Sequence, residues 1–173
     1  VVLRKCKEGN SIAMSSIARI SLHAASPGVA AWAPVPLRLI IGYGFMAHGY
    51  AKLMRGPESF AVVLQTLGVP EPLLLSWATT LLELTGGAAV IAGAFIPIVS
   101  VPMGIVLLTA MYTVHFQYGF FSVKFAEVTA NGIKFGTVGY EIVLLYLAGL
   151  AALAIGGPGR LSLDSLLRRR ADP

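Results

Sequence analysis

Six titratable side chains lie inside, or at the ends of, apolar runs: Arg38, His48, Lys52, Glu83, His115 and Glu141. Hydrocarbon tolerates such groups badly, so in a membrane helix they face protein or water and mark candidate functional sites. His48 and Glu83 are the candidates for proton transfer, because imidazole and carboxyl groups are the usual side chains that take up and return a proton. Arg38 and Lys52 are bases, and Glu83 and Glu141 are acids that can offset them. At about 100° per residue, Arg38, Gly42, Phe45, Gly49 and Lys52 share one narrow stripe, and His48 borders it. The stripe is expected to look inward, toward segments that supply counter-charges.

Four apolar spans carry these residues, at about 35–53, 73–96, 99–121 and 137–155. Each approaches the ~20 helical residues that a bilayer core requires. Arg55-Gly56-Pro57-Glu58 ends the first span, and 59–67 reads as a short amphipathic piece. A tight connection at Pro97 joins the second and third spans. Residues 122–136, with Lys124, Glu127, Asn131 and Lys134, read as a polar loop. Gly156-Gly157-Pro158-Gly159 stops the fourth span, and Ser162 or Asp164 suits the cap of a short C-terminal helix. The expected fold is all-α: a four-helix transmembrane bundle with short amphipathic segments in the first outer loop and at the C-terminus.

Within the second span, Ser76, Thr79, Thr80, Gly86, Gly87, Val90 and Ala94 lie on the side of Glu83. Small residues let membrane helices approach closely, so this face is expected to pack on a neighbour. In the fourth span Leu145, Ala148, Gly149 and Ala152 continue the stripe of Glu141. At 1.5 Å per residue, and measured from the inner surface, Arg38 sits at ~5 Å, Glu83 at ~15 Å and His48 at ~20 Å. Lys52, His115 and Glu141 all fall at ~25 Å. These depths match Lys52 to Glu141, and leave Glu83 to serve Arg38 or to hydrogen-bond His48. Blander roles are open to each. Arg38 and Lys52 can snorkel, Glu141 can cap a helix, His48 can be a satisfied core residue, and His115 can be interfacial.

Composition agrees with a membrane protein. The 173 residues are 56% hydrophobic and 12% charged, against about 25% charged for soluble domains. The net charge of +5 does not indicate nucleic acid, because the basic residues gather toward the two ends. Residues 1–33 form a basic tail, 34–157 the membrane domain and 158–173 a second basic tail. Basic flanks mark the cytoplasmic side, so both termini are expected there. Met14 follows a polar, basic stretch, which makes residues 1–13 a candidate for untranslated or dispensable sequence. The single Cys6 excludes an intramolecular disulfide or a paired-thiol centre.

Arg38-x3-Gly42-x2-Phe45-x2-His48-Gly49-x2-Lys52-Leu53 resembles the first-span motif of the DoxX family of small bacterial membrane proteins. Glu83-x2-Gly86-Gly87 with Gly93 resembles its second-span pattern. Glu141 with Gly157-Pro158-Gly159-Arg160-x-Ser162-x-Asp164 resembles its ending. The resemblance implies a four-helix protein of the bacterial inner membrane. The family takes its name from a subunit associated with a terminal quinol oxidase and with thiosulfate:quinone oxidoreduction.

On that resemblance the leading function is an accessory subunit of a quinone-linked redox system. A quinone ring needs donors to its carbonyls and a proton route, which Arg38, His48, Lys52, Glu83, His115 and Glu141 are the candidates to supply. The chain has no flavin, nucleotide or iron–sulfur motif, so the electron donor is expected on a partner subunit. A variant makes His48 and His115 axial haem ligands. The contrasting reading is a non-enzymatic scaffold or small permeation module, alone or as a homo-oligomer in the bilayer.

Overall fold

We describe residues 26–129 and 132–171 of a computed structural model of the protein, with side chains of the last helix as far as Leu167. The expectations for residues 1–13, Met14 and Cys6 fall outside the described residues. Residues 26–33 belong to a unit separate from the rest, and in them Pro27–Ala30 makes one helical turn.

The second unit begins at Pro34. Its helices are α1 (Pro34–Arg55), α2 (Pro57–Thr66), α3 (Pro72–Ala92), α4 (Ile96–Ala110), α5 (Glu141–Gly156) and α6 (Leu163–Ala171). A π-helical turn, Met111–His115, and a 3-10 turn, Phe116–Tyr118, prolong α4. Proline stands in the first turn of α2, α3 and α4, where its missing N–H costs no helical bond. Gly93 closes α3 in the left-handed conformation that glycine adopts freely. The connection to α4 is therefore Gly93–Phe95, earlier than the Pro97 turn that the sequence predicts.

Pro27–Arg55, Pro72–Ala92 and Ile96–Tyr118 are long and apolar enough to cross a membrane. The apolar helix α5 is shorter, at 16 residues, or ~24 Å, below the ~30 Å of a hydrocarbon core. The described residues are thus mostly helical with three candidate spans among them, and the expected four-helix transmembrane bundle is not reproduced in full. One reason is local. The sequence places the start of the fourth span at Thr137, but 136–140 is non-helical backbone, and the amides of Gly136, Gly139 and Tyr140 bond to the carbonyls of Lys124, Phe121 and Gly119.

The expected polar loop at 122–136 is also corrected. Phe125–Thr129 (β1) and Gly132–Phe135 (β2) pair as an antiparallel hairpin. Aromatic and β-branched residues alternate with the charges there, a strand pattern that the charges obscured.

The core draws Ile41 and Phe45 from α1, Val90 from α3, Ile96 and Met103 from α4, and Leu150 and Leu153 from α5. The edge of the Tyr146 ring meets Phe45 at 5.7 Å. Helices α1 and α3 run antiparallel and pack backbone to backbone. A Cβ on Gly42 would lie 2.6 Å from the carbonyl oxygen of Gly87, and one on Gly87 would lie 2.6 Å from that of Gly42. Small residues allow this approach, as the sequence reading expects of the Gly86-Gly87 face. That face is buried at Ser76, Thr80, Glu83, Gly86, Gly87 and Val90. The fourth-span expectation fails at most positions: Leu145, Ala148 and Ala152 are exposed, and α5 buries Val143, Gly149, Leu150 and Leu153 instead.

Candidate functional site

Lys52 ends the inward stripe of α1. Its Nζ donates to Glu83 Oε1 on α3 at 2.7 Å. This corrects both expected pairings, Lys52 with Glu141 and Glu83 with Arg38 or His48. The cause is the direction of the side chains. In a helix each Cα–Cβ bond leans toward the helix N-terminus. Glu83 stands level with Gly49, whose added Cβ would lie 3.1 Å from the Glu83 Cβ. The helices are antiparallel, so Lys52 and Glu83 lean toward each other across the one turn (~5 Å) between them.

Glu83 is only 6% exposed. Its Oε2 is buried and makes no hydrogen bond among the described residues. An unpartnered carboxylate oxygen in an apolar setting is costly, and such atoms call for an explanation in ligand or proton chemistry. The Lys52 ammonium also lies 4.4 Å from the centre of the Phe60 ring, a cation–π contact with α2.

Helix α2 is drawn against this pair by Ser76, whose hydroxyl donates to the Pro57 carbonyl at 2.5 Å. Between the end of α1 and α2 an open groove of about 270 Å³ is lined by His48, Lys52, Arg55, Ser59, Phe60 and Val63. His48 is exposed on the groove side of the α1 stripe. The groove therefore offers an imidazole, two cations and an aromatic ring, with the Glu83 carboxylate behind Lys52. Phe60 and Ser76 were not among the sequence candidates. Their only signal is that one sits on the amphipathic piece and the other on the small face of Glu83.

The other candidates lie elsewhere. Arg38 is 2% exposed. Its Nη2 donates to the carbonyls of Arg160 and Leu161, each at 3.1 Å, while Nε and Nη1 are buried without a partner among the described residues. Around it the Phe95 N–H donates to both carboxylate oxygens of Asp164, at 3.1 and 3.0 Å, and the Asp164 N–H to the Gly93 carbonyl at 3.2 Å. Ser162 is the cap of α6, its Oγ accepting from the Ser165 N–H at 3.2 Å. Arg38 is thus a clasp for the chain after α5 and takes no counter-charge from Glu83.

Glu141 is the first residue of α5, so its side chain leans away from the bundle. Its Oε2 accepts from the Ser122 N–H at 3.0 Å. His115 lies in the π-helical turn, with Nδ1 3.0 Å from the Val138 carbonyl. The structure brings together His48, Lys52 and Glu83, and leaves Arg38, His115 and Glu141 apart from them.

Residues 33–116 match the family model DoxX. This stretch contains α1 to α4 and the whole Lys52–Glu83 groove, but not the Glu141 or Arg160–Asp164 positions. An uncharacterized membrane protein of Mycobacterium tuberculosis is 28% identical over 159 residues, covering 87% of this chain and 88% of that protein. No solved structure matches significantly. This membrane protein is similar, through residues 33–116 and the charged stripe they carry, to the DoxX family.

Proposed function

We propose that the protein is an accessory membrane subunit of a quinone-linked redox system, and that the groove between α1 and α2 takes the quinone ring. The observation that carries this reading is a groove lined by His48 and Lys52, whose ammonium holds the buried Glu83 carboxylate with its Oε2 left without a partner among the described residues. The donor set fits the ligand. His48 and Lys52 supply N–H groups for the ring carbonyls, Phe60 supplies a stacking face, and Glu83 supplies a group that accepts or returns a proton. His115, Glu141 and Arg38 have no part in it. A partner subunit delivers the electrons.

The same reading places the protein in the bacterial inner membrane. It makes α5 a fourth, short span, supported by its apolar sequence and its packing in the core with α1, α3 and α4. Local bilayer thinning and flanking residues accommodate a helix a few ångströms short.

A photoreactive azidoquinone tests the groove. Labelling of the detergent-purified protein is expected on the peptide holding His48 to Val63, and an unlabelled short-chain quinone is expected to compete it away. Glu83→Gln should weaken that labelling while leaving the protein inserted. Label that no quinone competes, or label confined to other peptides, would sink the reading. The contrasting scaffold role is favoured by the fact that Lys52 already satisfies one oxygen of Glu83. It predicts that Gln at position 83 alters stability alone.

A further inference from the structure

The β1–β2 hairpin has one bare apolar face. Phe125 pairs with Phe135, and Val128 with Ile133. A register irregularity between Phe125 and Glu127 absorbs Ala126, which returns Phe125 to the face of Val128. The two phenyl rings lie 5.8 Å apart. All four apolar residues of this face are more than half exposed, from 52% at Ile133 to 75% at Val128. The opposite face carries Glu127 and Lys134, paired at 3.0 Å. A lone two-stranded hairpin is marginal in water, and a contiguous apolar patch of this kind marks a membrane or protein contact.

The neck of the hairpin fixes where it lies. The Gly139 N–H donates to the Phe121 carbonyl, Tyr140 N–H to Gly119 and Glu141 N–H to Phe120, at 3.0 to 3.1 Å. The Glu141 carboxylate takes the Ser122 N–H, and Ser122 Oγ takes the Ile142 N–H at 3.2 Å. A Cβ on Gly139 would collide with the Gly119 carbonyl. These bonds join the end of the third candidate span to the start of α5. The hairpin is held where two apolar helices end.

Aromatic rings crowd the same level. Phe116 stacks on Tyr140 and lies beside Tyr112, and Phe120 meets both Phe121 and Tyr140 edge-on, with centroids 5.6 to 6.0 Å apart. Aromatic belts of this kind sit at the membrane–water boundary. Phe120, Phe121 and Val123 are exposed as well, and stand in the chain between this belt and β1.

We propose that the hairpin is an interfacial anchor, whose Phe125, Val128, Ile133 and Phe135 enter the boundary between lipid head groups and acyl chains while Glu127 and Lys134 face water. The occupant of the apolar face is the phospholipid surface, because the neck bonds hold the hairpin beside the aromatic belt at the ends of two apolar helices. Within the strands Glu127 and Lys134 cancel, and Lys124 at the neck adds one positive charge, so attachment follows apolar burial far more than the content of anionic lipid.

The test uses the full chain in bilayer nanodiscs. Trp32 and Trp77 are replaced by Phe, and Phe135→Trp supplies the probe. Its emission is expected at short wavelength, and lipids brominated near the glycerol end of the chains should remove most of it. Lys134→Trp, on the other face, should emit as an exposed indole and escape quenching. Long-wavelength, unquenched emission from the Phe135→Trp chain overturns the proposal in favour of solvent. Short-wavelength emission that brominated lipid does not quench overturns it in favour of a protein cover, either a second copy or a partner. Should the tryptophan-free background fail to insert, a nitroxide on Phe135→Cys in a Cys6→Ser chain reads the same depth. Relaxation by oxygen that exceeds relaxation by a water-soluble nickel complex supports the lipid contact, and the reverse order overturns it.

Discussion

Lys52 and Glu83 meet at 2.7 Å across the α1–α3 contact, with side chains 20% and 7% exposed. The pair ties the two helices that the glycines bring together, and its Lys52 lines the groove. Neutralising one member leaves the other as an uncompensated charge in an apolar setting. Glu83→Leu and Lys52→Met should each lower stability by about 3 kcal/mol. The double replacement should recover much of that loss. Thermal unfolding of the four proteins in one detergent measures the coupling, and simple additivity of the two single losses would contradict the pair.

The close approach of α1 and α3 makes Gly42 and Gly87 intolerant. A Cβ on Gly42 would also press on Ile91 Cγ1 at 2.5 Å, and one on Gly87 would stand 2.8 Å from Met46 Cγ. Ala at either site should cost about 1–3 kcal/mol through overpacking. Gly104 is the internal control. Its added Cβ would meet Leu147 only at 3.9 Å, so Gly104→Ala should be neutral or slightly stabilising. Equal loss at all three positions would show that helix separation is not the cause.

Arg38 secures the chain after α5 through two carbonyls. Lysine keeps the charge but lacks the planar fork that reaches both oxygens from one nitrogen group. In both Arg38→Ala and Arg38→Lys proteins the amides of Phe95, Asp164 and Ser165 should exchange with deuterium faster, while those in the middle of α3 stay protected. Unchanged exchange at Phe95 and Asp164 would show that the Asp164 contacts hold the segment without Arg38.

The membrane reading of α5 makes a topological prediction. With four spans, reporters placed after Gly157 and within 122–136 lie on opposite sides of the membrane, and the basic tails put the first of them in the cytoplasm. Cytoplasmic signal from both positions would mean that α5 does not cross.

Much of the architecture is legible one helix at a time. Periodicity puts Arg38, Gly42, Phe45, Gly49 and Lys52 on one stripe of α1; the first four are buried, with Ile41 beside them, and Lys52 is partly buried. The small face of α3 follows equally from its composition, because a glycine-rich side of an apolar helix has few uses besides close packing. Proline and glycine punctuation places α2 and the main helix breaks to within a few residues.

What only the tertiary structure decided is which groups meet. A helical wheel assigns a residue to a side but is silent on the direction of the neighbouring helix. The antiparallel lean of Lys52 and Glu83 therefore overrides a pairing made on depth alone. Arg38 found its partners in backbone carbonyls more than 120 residues away, which no local pattern signals. Glu141 marked the wrong side of α5, because at the first helical residue a side chain answers to the preceding loop and not to the bundle. The hairpin, too, owes its position to neck bonds that link Gly119–Ser122 with Gly139–Ile142 across the intervening strands. Such contacts form only once the two helices stand side by side.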